Sequence, residues 1–288
     1  MEWERHRAHW PNSNFSIFVE AASHLWHVQQ AGQGPSLLLL HGTGASSHSW
    51  DGLFKLFCDD FSVTAIDLPG HGFTRIGTKQ RNSLTNMTSD IITLCKAHKI
   101  APDYIIGHSA GAAIAMEMSK TLHFKGVIGI NAALSKFGGI ASWAFPMIAK
   151  IIALNPFIPS YLAGLGRNPL RVEKLMRETG SKLSDVQLSR YRALFQDRNH
   201  VEGTLLMMAQ WNLDRLLLRL DEVNTSTLLI AAERDRTVSP KVSQEISKKL
   251  VHSEALLLRD LGHLAHEENP ALLHLKIKEF IARTQSGL

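Results

Sequence analysis

The chain has 288 residues, 44% apolar and 20% charged, with a formal net charge of +5. These proportions fit a globular protein with a sizeable core and exclude a disordered tail protein. Two cysteines, Cys58 and Cys95, are too few for a disulfide framework; in apolar, helix-like surroundings they read as buried thiols in a reducing compartment.

The start, Met1 to Arg7, lacks the apolar stretch of a secretory signal. Phe15 to Val19 and His24 to Gln29 read as an opening hairpin. Ser36 to Leu40, Phe61 to Ile66, Tyr104 to Ile106, Val127 to Ile130, Thr227 to Ala231 and Ala255 to Leu258 read as further strands. Several are continuous runs of Leu, Ile and Val, as expected of strands buried on both faces of a parallel sheet. Helical patterns lie between them: Trp50 to Cys58, Leu84 to His98, Ala110 to Leu122, Pro240 to Leu250 and Pro270 to Thr284. Pro240 and Pro270 suit the first helical turn, where the missing N–H costs nothing. This alternation predicts an α/β fold. Roughly 90 residues separate the strand ending at Ile130 from the one starting at Thr227, far more than an ordinary connection. The gap holds helical patterns at Arg171 to Glu178, Asp185 to Gln196 and Thr204 to Leu220. It reads as a helical cap, 135–210, inserted into a core made of 1–134 and 211–288. No uninterrupted apolar run reaches about 18 residues; Ile140 to Leu154 is broken by Pro146 and Lys150. The expected location is cytoplasmic, with peripheral contact at a membrane surface left open.

The strongest chemical signal is Gly107-His108-Ser109-Ala110-Gly111, after the apolar run Tyr104 to Ile106 and before a small-residue helix. This is G-x-S-x-G in a strand–turn–helix setting, where a tight turn exposes a serine hydroxyl and a helix N-terminus favours developing negative charge. A serine nucleophile needs a base, and the base an orienting acid, later in the chain. Asp235 follows the strand ending at Ala231, and His263 follows the one ending at Leu258. Glu233 and Asp260 are rival acids and His266 a rival base; Asn131 ranks low because it could orient a histidine only as a neutral amide. His263, His266 and Glu267 lack the spacing of a metal site, so no metal or cofactor is expected. His41-Gly42-Thr43-Gly44, at the end of another strand, supplies a close-approaching loop, with the Thr43 and Ala110 N–H groups as candidate oxyanion donors. Asp67-Leu68-Pro69-Gly70-His71-Gly72 reads as a structural turn at the same edge.

Together, His41-Gly42, the segment Asp67 to Gly72, Gly107 to Gly111, Asp235 and Gly262-His263 resemble the α/β-hydrolase superfamily. The resemblance implies an eight-stranded, mostly parallel sheet with a cap, and Ser109, Asp235 and His263 as nucleophile, acid and base. Trp10-Pro11-Asn12, Trp26 to Gln29, His41 to Ser46, Gly107 to Ile114, Asn131 to Leu134 and Met207 to Trp211 further resemble the magnesium-chelatase accessory proteins of bacteriochlorophyll biosynthesis. That resemblance implies a tetrapyrrole or acyl substrate and an association with magnesium chelatase.

Between Ser135 and Gln210 ten Lys/Arg stand against five Asp/Glu, which accounts for the whole positive excess. The charges are interleaved with Leu and Met and match no nucleic-acid module. Trp143, Phe145, Met207 and Met208 are expected to line an apolar pocket above Ser109. With cap cations such as Arg167, Arg171 and Lys174 at its rim, that pocket would suit a carboxylate-bearing porphyrin; anionic membrane phosphates are the rival partner.

Overall fold

The computed structural model describes residues 1–135, 155 and 157–286. Its eight strands, β1 (Ser16–Ala21), β2 (His24–Ala31), β3 (Ser36–Leu40), β4 (Ser62–Ile66), β5 (Tyr104–His108), β6 (Gly126–Ile130), β7 (Thr227–Ala232) and β8 (Ser253–Leu258), form one sheet. The order is β1-β2-β4-β3-β5-β6-β7-β8. The β1–β2 and β2–β4 pairs are antiparallel and all others parallel. The chain leaves β3 for one side of the sheet and returns through β5 on the other. The loops after β3 and β5 therefore diverge beside each other at the carboxyl edge, where α/β sheets place their sites.

The continuous apolar strands are buried on both faces because side chains alternate. Leu38 and Leu40 of β3 join a core with α3 (Leu84–Ala97) and α4 (Ala110–Ser119). Leu37 and Leu39 join the opposite core with α2 (Asp51–Phe57), which follows the short α1 (Trp3–His6) in the chain, and a C-terminal helix, Pro270–Ser286. Cys95 is buried, and burial pushes its thiol up to about 12; Cys58 is only half-buried, at the end of α2, in contrast to the expectation of two buried thiols.

Between β6 and β7 the described chain is helical: α5 (Ile158–Leu165), α6 (Pro169–Glu178), α7 (Asp185–Gln196), α8 (Arg198–Gln210) and α9 (Asp214–Leu218). The bounds of α7 are those expected from the sequence, and Ser184 and Gln187 cap it reciprocally. One reading here is corrected. The single helix expected over Thr204 to Leu220 is two, because Trp211 is extended and the Asn212 side chain accepts the N–H of Asp214, the first residue of a new helix. The helix α5 adds to the helical patterns expected in this gap; Pro159 falls within its first two positions and is tolerated there. A third apolar cluster, with Trp10, Phe73, Val172, Leu188, Leu194 and Leu264, seats these helices on the core. One close approach is Gly203 of α8 on Gly70, where a Cβ at residue 203 would fall 2.2 Å from the Gly70 carbonyl oxygen. After β7 come α10 (Pro240–Ser247), β8, α11 (Ala265–Glu268) and α12 (Pro270–Ser286).

Candidate active site

Ser109 occupies the single residue between β5 and α4, with φ 51° and ψ −115°. A non-glycine residue there stores on the order of 1–3 kcal/mol of strain and is held only if its surroundings dictate it. They do. The Ser109 N–H donates to Ile130 O at 2.9 Å, and the Ser109 carbonyl accepts from the Ala112 and Ala133 N–H groups, both at 3.1 Å. The two glycines of the motif permit the turn. A Cβ on Gly107 would lie 2.3 Å from Gly111 O, and one on Gly111 would lie 2.2 Å from Leu40 O.

His263 and Asp235 meet across the β7 and β8 loops. His263 Nδ1 lies 2.7 Å from Asp235 Oδ2, while Asp235 Oδ1 accepts the N–H groups of Thr237 and Val238 at 2.7 and 2.8 Å. Both side chains are almost fully buried. A carboxylate so held fixes the Nδ1–H tautomer and leaves Nε2 as the basic nitrogen. The rival acids are turned elsewhere: Asp260 pairs with Arg234, and Glu233 accepts the Asp260 N–H at 3.4 Å. His266, the rival base, is locked into a separate buried network. Its Nε2 meets Ser49 Oγ at 2.7 Å, and Ser49 donates to Glu267 Oε1 at 2.6 Å. Burial lowers the His266 imidazole to about 3, so it is a neutral packing residue. Among the described residues no group of three or more His, Cys, Asp or Glu is arranged to hold a metal.

The loop after β3 approaches the serine closely. A Cβ on Gly42 would sit 3.0 Å from Ser109 Cβ. Among the described residues no acceptor takes the Thr43 or Ala110 N–H, and Ala110 opens α4. Both donors are therefore available to an oxyanion. Met207 is fully buried, and the Thr43 hydroxyl donates to its sulfur at 3.5 Å, which brings it to the rim of this loop. Met208 is half-buried on the adjoining side of α8. Trp143 and Phe145 lie outside the described residues. Among the described residues nothing hydrogen-bonds the Ser109 hydroxyl.

Three residues that sequence reasoning ranked low or passed over hold His263 by its backbone. The His263 carbonyl accepts from Asn131 Nδ2 at 2.8 Å and from His108 Nε2 at 2.9 Å, while the His263 N–H donates to Thr179 O at 3.3 Å. Asn131 acts on the main chain rather than the ring, so its neutral amide is no disadvantage. Its Oδ1 also accepts the Ala232 N–H at 2.8 Å, tying β6 to the Asp235 loop. The signal was a polar residue directly after a fully buried strand. His108 is also buried, and burial lowers its pKa well below the ordinary value, so it donates as a neutral ring.

The Asp67 segment is structural, as read. Asp67 accepts Ser47 N–H at 2.6 Å, Phe73 N–H at 2.8 Å and His27 Nδ1–H at 2.8 Å. Burial would raise its pKa, but these partners outweigh burial and hold it well below the carboxylate range. His200 of α8 accepts the Gly72 N–H at 3.0 Å and donates to Gly44 O at 3.2 Å, clamping the inserted helices to the two loops around the site.

The profile of the alpha/beta hydrolase family matches residues 37–274. The chain is 38% identical over 263 residues to the magnesium-chelatase 30 kDa subunit of Rhodobacter capsulatus, covering 90% of this chain and 92% of that one. It is 24% identical to a pimeloyl-[acyl-carrier protein] methyl ester esterase of Stenotrophomonas maltophilia, covering 85% and 93%. The fold is also that of the enol-lactonase from Burkholderia xenovorans LB400, with a TM-score of 0.74 at 17% identity, covering 92% of this chain and 100% of that one.

Proposed function

This chain belongs to the α/β hydrolase family, and from that premise we propose that it is a serine hydrolase acting on an ester or related acyl bond. The observation that carries the reading is the 2.7 Å contact of His263 Nδ1 with Asp235, on loops at the same sheet edge as a serine held at positive φ. In the proposed reaction Ser109 Oγ attacks the substrate carbonyl carbon while His263 Nε2 takes the hydroxyl proton. The oxyanion accepts from the Thr43 and Ala110 N–H groups. Collapse expels the alcohol, which leaves with the proton from His263. Water, deprotonated by His263, then attacks the acyl-serine and releases the acid and Ser109. In this reading 135–210 is the cap over this site, on a core of 1–134 and 211–288, with Met207 and Met208 as substrate-facing residues.

The similarity to a chelatase subunit supports a role as an accessory factor in magnesium-tetrapyrrole metabolism, with a tetrapyrrole ester as the substrate class and magnesium chelatase as an associated complex. The second reading, favoured by that relative's name, is a protein that binds and delivers a porphyrin without turnover. An activity-based fluorophosphonate probe separates them. Hydrolysis requires labelling of the folded wild type that is lost in Ser109→Ala and His263→Ala; a wild type that stays unlabelled favours delivery.

A further inference from the structure

Side chains on α5 and α6 are exposed in a way that neither the site nor the core accounts for. Phe157, just before α5, is 79% exposed, Tyr161 is 66% exposed and Leu170 of α6 is 73% exposed. Phe157 and Tyr161 stand one helical turn apart, joined by the Tyr161 N–H to Phe157 O bond at 3.0 Å. Both helices rest against α7 and bury their other sides: Pro159 and Ala163 on α5, Val172 and Met176 on α6. The apolar residues are therefore outward by construction and not strays from the core.

Cations flank them. Arg167 lies between the helices, and Arg171 and Lys174 share the solvent side of α6 with Leu170. Lys174 has a loose partner in Glu178 at 3.9 Å; among the described residues no carboxylate pairs with Arg167 or Arg171. Exposed aromatic and aliphatic side chains beside guanidinium groups that no described carboxylate pairs match one partner closely, an anionic lipid surface. Its acyl boundary takes the rings and its phosphates take the charges. A flat macrocycle instead wants walls on both sides.

We infer that Phe157, Tyr161 and Leu170, with Arg167, Arg171 and Lys174, dock the protein on the surface of an anionic bilayer. Among the described residues no helix is long and apolar enough to cross a membrane, so this contact is peripheral. The face is continuous with the candidate site. Immediately after α6, Thr179 O accepts the N–H groups of Arg236 and His263 at 3.2 and 3.3 Å, and Ser181 Oγ accepts the Leu264 N–H at 2.8 Å. The helix α6 thus links the docking residues along its length to the loops of Asp235 and His263 just beyond its end.

The test is flotation of the Ser109→Ala protein with phosphatidylcholine vesicles, with and without phosphatidylglycerol. That variant leaves the lipid esters intact, so the result does not depend on the hydrolase reading. Binding is expected only with phosphatidylglycerol and weakens as salt rises. Replacing Arg167, Arg171 and Lys174 together by Gln should lower the partition coefficient about a hundredfold, and Phe157→Ser with Tyr161→Ser and Leu170→Ser about tenfold or more, with circular dichroism unchanged. Absence of flotation, or flotation unaffected by both triple variants, would overturn the assignment. So would a concentration-dependent dimer abolished by the serine variant without vesicle binding, which gives the face to a second copy, or porphyrin binding lost in the Gln variant without vesicle binding.

Discussion

The loops at the carboxyl edge of the sheet and the helices inserted between β6 and β7 use polar residues in opposite ways. At the sheet edge, polar side chains are buried, and each histidine there makes at least one hydrogen bond. His41, His48, His71, His108 and His266 are all fully enclosed, and desolvation lowers every one of their pKa values, so each is a neutral donor or acceptor holding a loop. On the outer side of the insertion, cations and large apolar side chains face solvent together. The two regions meet through backbone contacts: Thr179 O on the His263 and Arg236 N–H groups, and Gly203 on Gly70. A buried polar group must be satisfied geometrically, so the first region is rigidly specified; an exposed side chain meets no such demand and is free to serve binding.

The sharpest way to test this contrast is at the sheet edge. Ser109→Ala or His263→Ala should reduce turnover of any ester cleaved by the wild type by about a million-fold, and the double variant should be hardly worse, because the residues act as a unit. Steady-state rates on a chromogenic ester check this. Asp235→Asn, which favours the wrong imidazole tautomer, should cost about ten-thousand-fold in kcat. Equal activity would return the acid role to Glu233 or Asn131.

The positioning residue comes next. Asn131→Ala removes one donor from the His263 carbonyl and the acceptor of the Ala232 N–H. It should lose about 1–3 kcal/mol of stability in denaturant titrations. If the amide also positions the base, kcat should fall with KM nearly unchanged; a stability loss with full kcat makes Asn131 structural only.

The seam should yield a comparable loss by another mechanism. Gly203→Ala forces a methyl group against the Gly70 carbonyl. Overpacking of about 1–3 kcal/mol is expected, seen as a lower Tm with far-UV circular dichroism retained.

Protonation separates the regions by pH. The enclosed histidines titrate near 6.5 when unfolded and are lowered when folded, to about 3 for His48, His71 and His266. The unfolded state binds more protons in that window, so stability should fall as pH drops from about 6.5 towards about 3. Glu267, between α7 and the core, has the opposite sign. Burial pushes its carboxyl up to about 7, against the hydrogen bonds from Ser49 and Tyr191. The folded state holds that proton while the unfolded state has lost it above about 4.5, so this residue makes stability fall as pH rises to about 7. Glu267→Gln should remove that component, leaving a curve that rises monotonically across the same range in pH-dependent denaturant melts.

The smallest effect is expected on the outer face. Leu170→Ser should change stability by less than about 0.5 kcal/mol. A larger loss measured by calorimetry would mean that the face is packed in solution and would blur the contrast drawn between the regions.

Much of the fold could be read from local pattern because its signals are local. Continuous apolar runs such as Leu37 to Leu40 can be satisfied only by burial on both faces, and Gly107 and Gly111 are needed wherever a strand turns that tightly into a helix. Asp235 and His263 stand out because each follows a strand at a predictable edge. Their meeting at 2.7 Å, the backbone grip of Asn131, His108 and Thr179 on His263, and the neutrality of His266 depend on loops far apart in the chain. The split between α8 and α9 and the exposure of Phe157, Tyr161 and Leu170 likewise could not be read from periodicity, since an apolar residue looks the same in sequence whether it faces a core or water. Hydrophobic pattern and turn chemistry thus determined the sheet, the strand–turn–helix around Ser109 and the candidate catalytic types. Only tertiary packing decided which histidine meets Asp235, which are desolvated into neutrality and which apolar side chains face outward, because solvation and pairing belong to the assembled neighbourhood of a residue and not to its place along the chain.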